Sequence, residues 1–465
     1  MLNNLTFAIQ SIFAIYASLA FSIFVYSIKY HSSSAMVFFI TFLANILMIL
    51  LLNVFKRKIN NTINQLIINF FLIWIILIII SSIPLIAIYE SKSLSEILFV
   101  STSLATTTGF SLSESVLADN KILILWQSMV QYIGAHYTLL SYLLFSLIIF
   151  RKETKSFFLN KKSIILFNIL FLSLLFFYSF LLFFYNDNFI ENFSLSAAIL
   201  STGGILNNYD NILADTFSNN YILIFLLLLM LIGLFFLPVF IFFQDRTLFK
   251  SISKNFFKRI SFMATCITII ICLVSYFGKL SFIENLFISI SFITTTGILP
   301  NSFENYLIVN SYNSYIMLFI LFMVIGTFSG TCCGGLKIDK ISIFAIKISE
   351  ELNKFIFQHN VKGVEIIKRG SNQSELNSLY ALISVGASLS LLSILILNIS
   401  GYSVKDAFIL SISSLTNTGE GIKTISQVSF ENNKNTYFIL NLLMICGRFE
   451  NIGYILIITK LLKKN

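Results

Sequence analysis

The sequence predicts an all-α polytopic membrane protein. It contains four copies of one unit (helix, half-helix, extended segment, helix), preceded by two extra transmembrane helices. Three observations predict this. The 465 residues are 57% hydrophobic and only 11% charged, with a mean hydropathy of +0.87. The apolar residues gather into ten long stretches, and four short hydroxyl-and-glycine segments recur in phase with them.

Composition removes the most alternatives. A soluble domain carries about 25% charged residues, more than twice the share found here, so this chain cannot cover a water-facing surface. Soluble enzymes, disordered chains and nucleic-acid-binding proteins are largely excluded on that ground. A span takes roughly 20 residues, so the length accommodates about ten spans with short loops. The five cysteines show no CxxC or Cys/His metal spacing, Cys332 and Cys333 are adjacent, and free thiols are expected. The N-terminus, MLNNLTFAIQSIF, lacks a basic n-region and a small-residue cleavage site, and reads as the start of the first retained span.

The elements follow in order along the chain. Stretches 5–28 and 34–55 form the extra pair, in a region 1–60. Stretches 65–89 and 122–150 belong to a first unit (61–160), and 163–185 and 220–243 to a second (161–256). Stretches 259–277 and 313–350 belong to a third (257–350), and 378–399 and 435–460 to a fourth (378–465). An insert at 351–377 separates the last two units. The stretch 313–350 is anomalous, because as one helix it would be about 57 Å long against a hydrocarbon core of about 30 Å. It must break, and the run from Gly326 to Lys337, GTFSGTCCGGLK, is where it can. Within it, Gly326, Gly330, Gly334 and Gly335 tolerate irregular backbone, although Gly326 and Gly330 also spell the GxxxG of close helix packing.

Charge sets the orientation. Most of the 31 Lys and Arg fall in 56–58, 151–162, 245–259, 337–375 and 460–464, while the alternate loops carry net negative charge. The basic side is cytoplasmic by the positive-inside rule, which puts both termini there. A nucleic-acid partner is the rival reading of the basic pI of 9.2, but it needs one concentrated basic face rather than alternation between loops. No nucleic-acid partner is expected, and the bilayer is.

The repeat carries the chemistry. The segments are Thr106-Thr107-Thr108-Gly109-Phe110, Ser201-Thr202-Gly203-Gly204-Ile205, Thr294-Thr295-Thr296-Gly297-Ile298 and Thr416-Asn417-Thr418-Gly419-Glu420. Each follows an amphipathic stretch of about 12 residues, too short to span. Re-entrant backbone is tolerated at membrane depth only where it lines a water-filled path or is buried in protein. Four extended strands around one axis can replace an ion's hydration shell with rings of oxygens. Half-helices ending toward the path add partial negative charge. No charged ligand is required, which suits passage of a monovalent cation.

At these residues the chain resembles the Trk/Ktr/HKT superfamily of potassium transporters, from about residue 65 to 460. The two leading spans are similar to its TrkH branch, the potassium uptake subunit. Ile325 to Lys337 resembles that family's Gly-rich intramembrane loop, and Gly447-Arg448-Phe449-Glu450 its motif in the last helix. The resemblance implies four helix–pore–helix units around a pseudo-fourfold pore. It implies a potassium filter at Thr107, Thr108, Gly109, Thr202, Gly203, Gly204, Thr295, Thr296, Gly297, Asn417, Thr418 and Gly419. It implies a gate at Gly326, Gly330, Gly334, Gly335 and Arg448. Potassium is then the transported ion, with no organic cofactor in the chain. The partners implied are a second copy of the chain, as a homodimer, and a cytosolic nucleotide-binding regulatory ring, in the bacterial inner membrane. The chain departs from the family at Thr327, Cys332 and Cys333, at Glu420, and around Gly134-Ala135-His136.

Single residues add expectations. Arg448 stands inside an apolar span, where a charge normally faces a cavity or a partner. His136 reads as a hydrogen-bonded packing residue rather than a proton relay. Glu420 fits either a cation-concentrating mouth or a solvated rim. Trp126 is expected at the membrane interface, and Lys337 at the cytoplasmic boundary. Two other functions keep their place beside potassium uptake: a sodium-permeable protein of the same fold, and a proton-coupled secondary carrier. The second requires buried acids, and the spans hold almost none besides Glu450. No HExxH, GxSxG, P-loop or GxGxxG motif points to an enzyme.

Overall fold

The computed structural model describes residues 2–30, 34–55, 63–111, 120–149, 161–185, 187–204, 220–244, 281–300, 313–356, 373–419 and 434–448. Among them are fourteen helices and no strand. They are α1 (Leu2–Lys29), α2 (Ala35–Phe55), α3 (Ile63–Ile88), α4 (Leu94–Ala105), α5 (Lys121–Ile149), α6 (Lys161–Leu182) and α7 (Phe189–Ser201). They continue as α8 (Asn220–Gln244), α9 (Phe282–Ile293), α10 (Asn313–Ile325), α11 (Ile338–Ile356), α12 (Gln373–Ile399), α13 (Val404–Thr416) and α14 (Lys434–Arg448). Five of these helices, α1, α2, α3, α6 and α8, are long and apolar enough to cross a membrane. Large apolar side chains stand exposed along them and along α12, Phe177, Phe180, Leu391 and Leu395 among them, as a lipid-facing surface requires. The expected span at 259–277 lies outside the described residues, as do most of 351–377 and all of 449–465.

Four short helices repeat: α4, α7, α9 and α13. Their starts are fixed by the same local chemistry. Ser93 and Ser281 cap α4 and α9, each accepting from the backbone N–H of a Glu three residues on, while Glu96 and Glu284 accept in return from the cap's own N–H at 2.8 Å. Ser403 accepts likewise from the Asp406 N–H at 3.1 Å. Asn188 starts α7, and its side chain donates to Glu191. Each short helix therefore has a polar cap and an acid in its first turn, opposite the positive end of its dipole.

The order of packing is cyclic. Each short helix rests on the second helix of the preceding unit: α7 on α5, α9 on α8, and α13 on α10, the first half of the broken helix. The cycle closes because α4, from the first unit, packs against α14, the last helix of the fourth. Helices α1 and α2 pair with each other outside this ring, and α1 also lies on α5 and α6.

That packing corrects one expectation. Trp126 is fully buried, stacks on Tyr16 and donates its indole N–H to the Ser81 carbonyl at 3.1 Å. It joins the extra pair of helices to the ring and is packed inside the protein, not turned outward as an interface anchor would be. His136 is buried between Phe167 and Phe171, with Nε2 3.0 Å from the Asn168 Oδ1, a hydrogen-bonded packing residue.

Candidate ion path

The four hydroxyl-and-glycine segments start where the four short helices stop, and they stop in the same way. The backbone N–H groups of Thr108, Gly203, Thr296 and Thr418 reach back to the carbonyls of Ser103, Ala198, Ser291 and Ser413 at 2.8–3.0 Å. Those of Thr107, Thr202, Thr295 and Asn417 bond Leu104, Ile199, Phe292 and Ser414. This pair of bonds is the Schellman ending, and it needs a left-handed residue. Thr107, Thr202, Thr295 and Asn417 take that role, with φ of 50°, 55°, 54° and 52°. Three are β-branched, a choice that costs about 1–3 kcal/mol each and persists only where the surroundings impose it.

Two residues later come Gly109, Gly204, Gly297 and Gly419, again at positive φ. The segments are in register at every position. Two of these glycines meet the next segment directly: a Cβ on Gly204 would overlap the Thr296 carbonyl oxygen, and one on Gly419 the Thr108 carbonyl oxygen. All twelve expected filter residues are buried. Hydroxyl pairs stiffen three segments, Thr106 with Thr108 at 2.7 Å, Thr294 with Thr296 at 2.8 Å and Thr416 with Thr418 at 3.0 Å. In the second, Gly203 has no hydroxyl, and its N–H donates to Ser201 Oγ at 3.2 Å instead.

The long stretch 313–350 breaks. Helix α10 ends at Ile325, and 326–337 are non-helical before α11 begins. Bonds from Leu336 N–H to Val324 O and from Ile338 N–H to Thr327 O, both 2.8 Å, tie the two ends of this loop together. Glycine allows the tie: a Cβ on Gly326 would overlap the Gly334 carbonyl oxygen. The loop reaches under several segments. Gly334 N–H donates to Thr295 Oγ1 at 2.9 Å, and a Cβ on Gly334 would overlap the Thr416 carbonyl oxygen. Gly330 faces Leu237 of α8 and Tyr142 of α5, and Cys332 Sγ points to the Ala135 carbonyl at 3.7 Å.

Arg448, 3% exposed, joins this loop to the first segment. Its guanidinium donates to Thr106 O at 2.7 Å, to Thr107 Oγ1, and to the carbonyl of Cys332 in the loop. A buried guanidinium held by backbone carbonyls keeps its charge where a carboxylate partner would cancel it. Lys337 differs from expectation. It is 1% exposed, with φ of 69°, and its ammonium donates to Cys333 O and Thr331 Oγ1. It is a buried tie inside the loop and does not mark a boundary with water. Two buried cations therefore hold one loop through its carbonyls.

Among solved structures the chain is similar to the potassium transporter TrkH from Vibrio parahaemolyticus, with a TM-score of 0.78 over 97% of each chain and 18% sequence identity. The fold is that of TrkH. No protein-family model and no curated protein sequence matches the chain.

Within the TrkH fold, sequence reading named Asn417, Gly134 and Gly447 without their contacts, and it missed Ser103 and Ser291. Asn417 Nδ2 bridges Thr108 Oγ1 and the Met444 carbonyl, both at 2.9 Å, and so fastens the fourth segment to the first. Ser103 Oγ accepts from the Phe110 N–H at 2.6 Å, and Ser291 Oγ donates to the Ile298 carbonyl at 2.7 Å. Gly134 and Gly447 lie on second helices where a Cβ would overlap the carbonyls of Ala105 and Leu415, each the residue before its segment. The signal for these two was a glycine recurring at similar distances after each segment. Glu420 and Glu450 lie outside the described residues.

Proposed function

We propose that the chain is a potassium uptake pore or transporter of the cell membrane, in which the four segments select the ion and the 326–335 loop with Arg448 gates it. The observation that carries this reading is the fourfold recurrence of one backbone ending, with a left-handed residue and then a positive-φ glycine in all four segments. Such endings aim successive carbonyls in a common sense, and carbonyl rings are how a protein replaces the water around a weakly hydrated monovalent cation. The likeness to a potassium transporter of the same fold supports the choice of ion, as does the presence of Gly109, Gly204, Gly297 and Gly419 in all four segments. Arg448 places a fixed positive charge beside the path, and in a low-dielectric setting that charge opposes an entering cation.

The test is rubidium uptake by a bacterium deficient in potassium uptake, expressing this chain with and without a cytosolic regulatory ring. Rubidium uptake that potassium inhibits and sodium does not is the expected result. Uptake of sodium in preference to rubidium assigns the fold to the sodium-permeable alternative, and solute uptake driven by a proton gradient assigns it to the carrier.

A further inference from the structure

The second segment is the odd one of the four, and its oddity has a counterpart on the neighbouring helix. Where the others carry Thr108, Thr296 and Thr418, it carries Gly203. The space is not empty: a Cβ built on Gly203 would lie 2.9 Å from both Cδ and Nε2 of Gln131. Gln131 belongs to α5, the helix on which α7 rests. Its side chain is 1% exposed, and Nε2 meets no hydrogen-bond partner among the described residues. Thr202 Oγ1, in the same segment, is also buried without a partner. Its three equivalents are engaged, Thr107 by Arg448, Thr295 by the Gly334 N–H, and Asn417 with Thr108 and Met444. Buried polar groups ordinarily find a partner in protein or water, and here two without a protein partner lie in one quadrant.

The second helices of the units supply the comparison. Three residues before the glycine of each stands Met230 (before Gly233), Met323 (before Gly326) and Met444 (before Gly447), all buried. In the first unit the same position, before Gly134, is Gln131. The cyclic packing sets each second helix beside the next unit's short helix. The one amide among three methionines therefore flanks the one segment that lacks a hydroxyl at its third position, Gly203. We infer that Gln131 is a selectivity-determining positioning residue: its amide replaces, from the adjacent helix, the hydroxyl that Gly203 cannot supply to the second quadrant. Neither residue then changes freely without the other. The amide takes the place that a threonine side chain takes elsewhere in the ring, filling the space behind the strand with a polar group. Its free N–H leaves that quadrant a donor for water, and the unpaired Thr202 hydroxyl oxygen a ligand for water or a cation in the path.

This inference rests on the reading of the four segments as a filter, and a mutant cycle separates the two. Rubidium uptake and its competition by sodium are measured for the wild type, Gln131→Ala, Gly203→Thr and the double variant, beside Gly297→Ser as the control for the filter. Gln131→Ala removes the amide, and Gly203→Thr drives a side chain into it. Each is expected to lower the preference for rubidium over sodium by roughly tenfold, the scale of one buried polar contact. The double variant, with the hydroxyl restored and the amide gone, should recover to within about twofold, which additive losses do not produce. If a single variant fails to reach the membrane, a double variant that does so and selects rubidium shows the same exchange. Losses that multiply in the double variant, a Gln131→Ala indistinguishable from wild type, or a double variant that also fails to reach the membrane overturns the inference. An unchanged Gly297→Ser, with Gly109→Ser, Gly204→Ser and Gly419→Ser unchanged as well, overturns the filter reading itself.

Discussion

Twelve residues of the path differ in how strongly the backbone depends on them, and Gly204 and Gly419 stand out. Each lies against a carbonyl of the neighbouring segment, so a serine there must push two strands of the ring apart. Gly109→Ser, Gly204→Ser, Gly297→Ser and Gly419→Ser are all expected to lower selectivity for rubidium over sodium. Gly204→Ser and Gly419→Ser should also lower flux the most, by roughly tenfold or more, since overpacking costs about 1–3 kcal/mol or more. Competition uptake assays check this, and four variants with wild-type selectivity and flux remove the filter assignment. The glycines were legible in the sequence because they recur in phase. The left-handed Thr107, Thr202 and Thr295 were not, because local preference assigns that conformation to Gly or Asn, and only the packed ring imposes it on threonine. Asn417 alone matches its conformation by type, and its amide then serves a second purpose across the ring.

At the scale of elements, the short helices and the broken helix carry the argument. The capping serines hold the starting positions of α4, α9 and α13, and through them the heights at which the segments begin. Ser93→Ala and Ser281→Ala should each destabilise the protein by about 1 kcal/mol, read as a lowered Tm in detergent. Glu96→Gln should do less, because a glutamine still closes the box. For the loop, deleting part of 327–334 or making Arg448→Ala is expected to raise ion flux several-fold while leaving the ion preference largely intact. Unchanged or lower flux in both, at normal membrane expression, assigns these residues to packing. The break at Gly326 was legible from length alone, since no straight helix of that extent fits a bilayer. The position of Lys337 was not. A lysine after an apolar run ordinarily marks the water boundary, and only the carbonyls turned inward by the loop make its burial tolerable. Trp126 was placed at the membrane interface for a similar reason, because its partner Ser81 lies on another helix.

For the whole molecule, the closing contact between α4 and α14 makes one chain into a ring, and the first and last units must therefore meet before a path exists. The four-unit architecture was legible because a repeat of that kind cannot bury its short helices singly and needs neighbours in order. Orientation rests on charge. If the charge distribution sets both termini in the cytoplasm, cysteines introduced at Asn208 and Ser302 in a background without native Cys should be labelled from outside, and one in 151–162 should not; the reverse pattern inverts the topology. The resemblance to the Trk/Ktr/HKT superfamily implies a second copy of the chain and a cytosolic nucleotide-binding ring as partners, and co-purification with such a ring is the corresponding check. The central claim is that this ring selects potassium. Its most direct test is radioactive rubidium influx into liposomes holding the purified chain, with potassium or sodium as competitor. The account predicts rapid influx that excess potassium suppresses, that excess sodium leaves nearly unchanged, and that loses this discrimination in Gly297→Ser. Influx equally suppressed by both ions in the wild-type chain, or no influx from protein that is folded and correctly inserted with its regulatory ring present, contradicts it.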